Sequence, residues 1–269
     1  MTKKIDLHTH STFSQDGKSP LKSMVACAVK QEVAYYGVTE HINFDYNDQL
    51  NSMLKEIDIK KYFKCARKLQ QKYSKKMTVL VGCEFGYADD EEVGEKYKKI
   101  ITEDKPDYII NSVHSFKGLD FCILRGIFTK EEMCEKYLDL VEKSINTNYH
   151  YDIVGHIGYI IRYVESGSGT EFYNSYKPQI ERILKAIIEN DKILEINTSS
   201  YGLAQKSLPD DNILKLYYEL GGRKISFGSD AHNTERIVDK WDDIIKMLKD
   251  IGFSYFTVPY KETQKKYEF

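Results

Sequence analysis

Residues 4–17 read KIDLHTHSTFSQDG, in which two histidines and an aspartate follow a short apolar stretch. The residues before His8 predict a short β-strand. His8 and His10 end this strand, and Asp16 follows next to Gly17, a context that by itself predicts a turn residue. The first predicted strand therefore carries two imidazoles at its carboxyl end.

The same strand signal recurs along the chain and alternates with amphipathic helical stretches. It predicts strands at residues 4–8, 35–39, 78–84, 108–114, 153–156, 193–197, 224–229 and 253–258. Helical spacing predicts helices at residues 20–32, 57–76, 130–146, 176–190, 210–220 and 233–250. Strand and helix alternate seven or eight times, which favours a (β/α) barrel or a doubly wound sheet. No low-complexity linker interrupts the 269 residues, so residues 1–269 are predicted to form a single domain, with residues 167–169 as a loop.

The composition predicts a cytoplasmic protein with a small-molecule partner. A formal net charge of -2 provides no overall field for nucleic acid or anionic lipid. The N-terminus lacks the apolar segment of a signal peptide, and no apolar run is long enough to span a membrane. Five scattered cysteines, without a C-x-x-C pair, indicate a reducing compartment rather than a disulfide framework.

Histidines and acidic residues gather at the ends of the predicted strands. Of seven histidines, only His150 lies elsewhere, and we interpret it as a surface residue. Each of these residues has a structural alternative, such as a hydrogen-bonded core histidine, but the whole set at one end of the strands favours a shared site. In a barrel of parallel strands these ends form one face, where active sites lie. The strand-end set is His8, His10, His41, Glu84, His114, His156, Asp230 and His232.

Imidazole and carboxylate without thiolate suit zinc, iron or manganese. A single catalytic zinc uses about three protein ligands. With Asp16 the set has nine members, which is enough for two or three ions, and Glu84 is suited to bridge two of them. Paired metals roughly 3.5–4 Å apart are typical of enzymes that cleave phosphoesters.

These motifs, in this order, resemble the PHP (polymerase and histidinol phosphatase) superfamily, and within it the monofunctional histidinol-phosphatases. The resemblance runs through "DLHTHSTFSQDG", "GVTEH", "GCEFGY", "DYIINSVHSF", "DIVGHIGYIIRY", "LEINTSS" and "FGSDAH". It implies a distorted (β/α)7 barrel with three divalent metal ions, zinc, iron or manganese, at its carboxyl face. Two positions depart from the family pattern: Gly158 stands where relatives more often carry aspartate, and Glu40 also replaces an aspartate.

The resemblance also implies how nine ligands are shared among three ions. His8, His10, Glu84 and Asp230 would hold the first ion. Glu84 would bridge to a second ion bound by His114 and His156. Asp16, His41 and His232 would hold the third. A hydroxide shared by two ions would attack phosphorus in line, and the positive ions would attract the phosphate despite the acidic chain.

Several further residues are candidates for substrate contacts. Arg162 is suited to clamp the phosphate as a bidentate catalytic group, and Lys117 is a weaker candidate for the same contact. Glu40 is expected to face the substrate ammonium, and Phe44 or Phe85 to pack on its imidazole. Within "LEINTSS", Asn197 is expected to orient groups at the site, while Glu195 is expected to turn inward as a structural charge.

The leading function is hydrolysis of L-histidinol phosphate to L-histidinol and phosphate in histidine biosynthesis. One alternative is a PHP phosphoesterase for a nucleotide or another small phosphomonoester. A second is a metal-dependent amidohydrolase, which would need a bridging lysine at a strand end that is absent from this pattern. A third is a non-catalytic metal-binding or scaffolding domain, which the full ligand set disfavours.

Overall fold

Seven parallel strands form the central sheet of the computed structural model, which describes residues 3–45, 57–164, 169–201, 207–260 and 263–269. The strands are β1 (Ile5–Asp6), β2 (Tyr35–Ile42), β3 (Thr78–Gly86), β4 (Ile109–Ser112), β5 (Ser115–Phe116), β6 (Leu119–Asp120), β7 (Ile153–Val154), β8 (Ile193–Asn197), β9 (Ile225–Gly228), β10 (Tyr255–Tyr260) and β11 (Thr263–Glu268). The order in the central sheet follows the order in the chain: β1, β2, β3, β4, β7, β8 and β9.

Hydrogen bonds between the first and last strands nearly close the sheet into a barrel. The Leu7 amide donates to the Phe227 carbonyl at 2.8 Å, and the Asp230 amide donates to the His8 carbonyl at 2.8 Å. The alternation of strands and helices left a barrel and a doubly wound sheet open, and these bonds confirm the distorted (β/α)7 barrel that the family resemblance implied. Because all seven strands are parallel, their carboxyl ends meet at one face.

Helices cover the outside of the barrel, and most begin at side chains that cap their free amides. Asp58 accepts from the Lys61 amide at 3.0 Å, and Thr129 forms a capping box with Glu132. The helices are α1 (Leu21–Lys30), α2 (Ile59–Tyr73), α3 (Glu91–Glu103), α4 (Phe121–Leu124), α5 (Lys130–Ile145), α6 (Gly169–Glu189), α7 (Asp211–Glu219) and α8 (Trp241–Ile251).

The predicted helices at residues 20–32, 57–76, 130–146 and 210–220 are confirmed to within a few residues. Helix α3 was missed, although Asp90 caps it by accepting from the Glu92 amide at 2.8 Å. The prediction for residues 176–190 began too late, because α6 starts at Gly169 and continues across a kink at Tyr176, two residues before Pro178. Proline lacks an amide hydrogen and so interrupts the helical pattern there.

One helix prediction near the C-terminus was wrong. Residues 233–250 are not one helix: a 3₁₀ turn at Thr234–Arg236 precedes α8, and Val238 and Lys240 between them have positive φ. The strand predicted at 253–258 is confirmed as β10, but it lies outside the barrel, because β1 already occupies the edge of β9. It forms an antiparallel hairpin instead, β10 with β11, and Phe256 packs 5.5 Å from the ring of Trp241.

The barrel wall is buried on both faces, as expected for parallel strands covered by helices. Strand β3 is buried from Val79 to Gly86, with Glu84 on the inner face and its neighbour Phe85 packed outward on Tyr97. Buried tyrosines tie helices to strand carbonyls, as when the Tyr62 hydroxyl donates to Gly82 at 2.6 Å. Within the described ranges, no helix combines the length and apolar character needed to cross a bilayer.

Candidate metal centre

Nine imidazole and carboxylate side chains converge at the carboxyl face of the barrel. They are His8, His10, Asp16, His41, Glu84, His114, His156, Asp230 and His232, the set expected from the sequence. Three groups of ligand atoms each lie within 4.8 Å of one another: His8, His10 and Asp230; His10, His41 and His232; and His41, Glu84 and His114. The barrel therefore brings together residues from nearly the whole length of the chain, from His8 to His232.

Glu84 lies at the centre of this cluster and is fully buried. Its Oε1 is 3.0 Å from His156 Nε2 and 3.2 Å from His114 Nε2. The same oxygen is 3.3 Å from His8 Nε2, while Oε2 is 2.5 Å from His41 Nδ1. Because its two oxygens face imidazoles on different sides, this carboxylate has the geometry of a bridge between two ions.

Two further carboxylates complete the cluster. Asp230 Oδ1 is 3.2 Å from His10 Nε2 and 3.8 Å from His8 Nε2. Asp16 Oδ2 is 2.9 Å from His232 Nε2 and 3.6 Å from His41 Nε2. The turn that carries Asp16 therefore brings it onto the cluster, which its local sequence alone did not show.

The polar atoms of the cluster fit metal ions better than they fit one another. His8 Nε2 and His10 Nε2 face each other at 3.0 Å, as do the Nε2 atoms of His114 and His156 at 3.2 Å. Such pairs need a shared proton or a shared cation. Glu84 Oε2 and Asp230 Oδ1 are buried and close to imidazole nitrogens, but among the described residues neither forms a hydrogen bond of acceptable geometry. Buried polar atoms are normally satisfied, so this donor set indicates a site for cations.

Glu195 supports the cluster from inside the barrel. Its Oε1 accepts a hydrogen bond from His8 Nδ1 at 2.5 Å, and its Oε2 accepts from the His156 amide at 2.7 Å. The first bond leaves His8 Nε2 free for a ligand role. Gly228 makes room for this contact, because a Cβ there would collide with Glu195 Oε1 and with the Cβ of His8.

The Glu195→Gln variant is expected to bind metal about 10–100-fold more weakly, because loss of a partner that orients a metal-binding histidine costs this much. Glutamine keeps the shape but removes the charge that supports the His8 imidazole. Competition with a chelator would measure the affinity, with the exposed Glu189→Gln as the matched control. Equal affinities for Glu195→Gln and the wild type would contradict this role for Glu195.

Glu40 does not face the substrate side, in contrast to the expectation from the sequence. It is fully buried, and its two oxygens accept hydrogen bonds from the amides and hydroxyls of Ser11 and Ser14. Both carboxylate oxygens are occupied by donors from the loop that carries Ser11 and Ser14, so neither is available to bind the ammonium group of a substrate. Ser14 Oγ also contacts His10 Nδ1 at 3.3 Å and accepts from the His41 amide at 3.0 Å, which makes Glu40 a support for two histidines.

The carboxylates and imidazoles shift one another's pKa values in the metal-free site. Burial works against charge on His8, but Glu195, Glu84 and Asp230 outweigh it and raise the pKa of His8 well above its usual value. Burial likewise opposes charge on His41, but Glu84 and Asp16 raise its pKa. Burial and the neighbouring His41 lower the pKa of His10 to about 3.

Metal binding near pH 7 is therefore expected to release protons, because the raised pKa values of His8, His41 and His232 favour their protonated forms without metal, and these imidazoles must be neutral to act as ligands. Because these pKa values are raised, the release of protons on metal binding is large at neutral pH and declines as the pH rises through the raised pKa values. Calorimetry in two buffers of different ionisation enthalpy would measure the release. Heats that do not depend on the buffer at pH 7 would contradict it. Activity should likewise fall in acid in step with metal loss.

Arg162 and Asn197 lie next to the cluster. Arg162 Nη2 is 3.8 Å from Asp230 Oδ2, and its Nε donates to Ser200 Oγ at 2.5 Å. Nη2 also donates to Ser199 Oγ. Asn197 Nδ2 donates to Asp230 Oδ2 at 3.4 Å, so it contacts the cluster as expected. The guanidinium is thus held at the edge of the cluster with its fork already oriented.

Three other candidates for substrate contacts lie elsewhere. Phe85 is fully buried and stacks on Tyr97, with ring centroids 4.2 Å apart, so it cannot pack on a substrate ring. Lys117 is exposed in the turn between β5 and β6, with its ammonium 5.5 Å from the ring of Phe116. Phe44 is partly buried and lines, with Lys117, a cavity of about 570 Å³ beside the barrel face.

Comparison with known proteins places this geometry in a family. The family model of the PHP domain matches residues 6–199, the span from β1 to the end of β8 and the loop that follows it. The chain belongs to the PHP domain family. This span contains seven of the nine clustered side chains, and Asp230 and His232 follow it on the next strand end.

Relatives of this PHP chain include named phosphatases. A Clostridium acetobutylicum protein named "Probable histidinol-phosphatase" is 30% identical over 250 residues, which cover 91% of this chain and 92% of the relative. A Thermotoga maritima protein of the same name is 26% identical and covers 96% and 97%. The fold matches the Lactococcus lactis histidinol phosphate phosphatase solved with zinc, L-histidinol and phosphate, with a TM-score of 0.83, 24% identity and coverage of 98% and 99%.

Two contacts of this PHP centre were missed in the sequence. Glu195 was expected to turn inward, and it does, but its bond to His8 depends on closure of the barrel, which places β1 beside β9 and brings His8 within reach of β8. Tyr159, three residues after His156, packs its ring 5.0 Å from that imidazole. In the sequence, the spacing of about one helical turn between His156 and Tyr159 was the signal that could have predicted this contact.

Proposed function

We propose that the chain is a metal-dependent phosphomonoesterase that hydrolyses L-histidinol phosphate to L-histidinol and phosphate, a step of histidine biosynthesis. The observation that carries the proposal is the cluster of nine ligands around Glu84 with Arg162 at its edge. The names of the relatives and the ligands of the Lactococcus lactis structure support the choice of substrate.

The nine side chains are suited to hold three divalent ions of zinc, iron or manganese. His8, His10 and Asp230 form one end of the cluster, and Glu84 links them to His114 and His156. Asp16, His41 and His232 form the other end. Such ions, when bound, would polarise the phosphoryl oxygens and acidify a water molecule.

Arg162 binds the phosphate directly. Its side chain is 19% exposed, and its guanidinium lies 4.9 Å from the ring of Tyr159 and is oriented by Ser199 and Ser200. A fork held in this way binds two phosphate oxygens without first having to be ordered. Asn197 and Arg162 both contact Asp230. One network therefore holds the metal ligand, Asp230, and the group proposed to bind the phosphate, Arg162.

The cavity beside the face is the candidate space for the organic part of the substrate. Its lining includes Phe44, Phe116 and Lys117 next to Ser115, the residue after His114. Phe44 therefore stays a candidate for contact with the imidazole ring of the substrate, and Lys117 for contact with polar groups outside the metal cluster.

The test is a steady-state comparison on metal-reconstituted protein. L-histidinol phosphate should exceed phenyl phosphate, a nucleoside monophosphate and a sugar phosphate in kcat/KM by about tenfold or more, the factor that about 1.4 kcal/mol of specific binding provides. A nucleotide that surpasses it would assign the chain to another PHP phosphomonoesterase. Absence of hydrolysis with full metal content would reject the phosphatase function.

We further propose that residues 1–269 act as one catalytic domain in the cytoplasm on a small-molecule phosphomonoester, without nucleic acid. The five cysteines support a reducing compartment, because all are free thiols. Buried Cys83 and Cys134 are part of the packed interior.

A further inference from the structure

Five of the six imidazoles of the metal centre fall into two groups by how Nδ1 is held, while His41 directs its Nδ1 into the cluster, 2.5 Å from Glu84 Oε2. Three of them give Nδ1 to a protein oxygen, which fixes the ring and directs Nε2 to the cluster. These contacts are His8 to Glu195 Oε1 at 2.5 Å, His10 to Ser14 Oγ at 3.3 Å and His232 to the Asp230 carbonyl oxygen at 2.9 Å. Contacts of this kind orient metal-binding histidines and make them better ligands.

His114 and His156 lack this kind of anchor. The Nδ1 atoms of both rings are buried and have no hydrogen-bond partner in any of the described ranges. Their Nε2 atoms face each other at 3.2 Å and both lie near Glu84. Gly158, two residues after His156, has no side chain to offer a partner.

The ring of Tyr159 packs against both unanchored imidazoles. Its centroid is 5.0 Å from His156 with an interplanar angle of 30°, and 5.3 Å from His114 at 67°. Tyr159 is itself fixed, since it is 7% exposed, its hydroxyl pairs with that of Tyr163 at 2.7 Å, and Arg162 covers its ring. Aromatic packing restricts the tilt of an imidazole, but it neither selects the tautomer nor strengthens the donor nitrogen as a carboxylate does.

We propose that Tyr159 is the positioning residue of His114 and His156, and that the ion held by this pair is the first of the bound ions to leave. The inference rests on the proposed metal centre and does not involve the substrate. The ions at His8, His10 and His232 are retained longer because those rings are anchored by hydrogen bonds.

Release of zinc from the loaded wild-type protein into an excess of a chromophoric chelator tests the order of loss. One equivalent should leave at least about tenfold faster than the rest, the lower range for loss of an outer anchor. His114→Gln and His156→Gln should each remove this fast phase and lower the zinc content by one equivalent. Release in a single phase, or a fast phase that persists in both variants, would overturn the proposal.

Substitution of Tyr159 tests the positioning role. Tyr159→Leu should accelerate the fast phase by about tenfold or more and leave the slow phases within about two-fold of the wild type. Tyr159→Phe keeps the ring and should stay within about two-fold in every phase, as should Tyr163→Phe. Equal acceleration of all phases in Tyr159→Leu would show a general structural role and overturn the proposal, as would no change.

Both measurements are independent of catalysis. They monitor zinc alone, so a failure to hydrolyse L-histidinol phosphate leaves them interpretable. If Tyr159→Leu does not fold, the wild-type phases and their assignment by the histidine variants still decide whether the pair holds the most labile ion.

Discussion

Glu84→Ala is expected to lose more than one metal equivalent and to reduce kcat/KM by more than about 100-fold, because removal of a group that merely orients a ligand already costs up to this factor. Glu84 Oε1 lies 3.0–3.3 Å from three imidazoles, and Oε2 lies 2.5 Å from a fourth. Alanine would therefore remove a ligand from two sites at once. Elemental analysis after reconstitution, together with steady-state kinetics, would measure both effects.

Two variants separate bridging from simple burial of a charge. Glu84→Gln keeps the size of the side chain and one oxygen acceptor, so it should retain more metal than Glu84→Ala. Glu135→Ala removes an exposed carboxylate from α5 and should leave metal content and kinetics as in the wild type. If Glu84→Ala loses a single ion and keeps its activity, Glu84 is an ordinary ligand of one ion and not a bridge.

The strands of the barrel could be predicted from local sequence because each carries a local signal, whereas the closure of the sheet depends on contacts between its two ends. Strands such as β3, buried on both faces, appear as continuous apolar runs, and the ligands stand where these runs end. The hairpin of β10 and β11 could not be predicted, because its strand signal is the same as that of a barrel strand. What excludes it from the barrel is the pairing of Leu7 with Phe227, a contact between the two ends of the sheet.

The ligand set was predictable and the supports of the ligands were not. Glu40 shows the reason, since a carboxylate next to His41 in the sequence could face the substrate or the interior. Its direction is set by four donors from Ser11 and Ser14, on another strand end. In the same way, Phe85 alternates with Glu84 along β3, so one faces the cluster and the other faces α3.

Arg162→Ala is expected to lower kcat/KM about thirty-fold or more while the metal content stays at the wild-type level. The lost contact is a charge-assisted pair in a partly buried site, for which truncation costs roughly 2–5 kcal/mol, at about 1.4 kcal/mol per factor of ten. Arg162→Lys should recover only part of the loss, because a point charge cannot bind two oxygens as a planar fork does. Inorganic phosphate should inhibit the alanine variant less than the wild type.

Metal content is the decisive control for this variant, because Arg162 also covers the ring of Tyr159 at 4.9 Å. If alanine disturbed that ring, zinc would be lost and the kinetic defect would follow from the metals. If zinc is retained and inhibition by phosphate weakens, the kinetic defect is caused by loss of the contact between Arg162 and the phosphate. Arg182→Ala, which removes an exposed guanidinium paired with Glu142 on the outer helices, should change neither quantity. Kinetics and phosphate inhibition of Arg162→Ala within about two-fold of the wild type would leave phosphate binding to the metals alone.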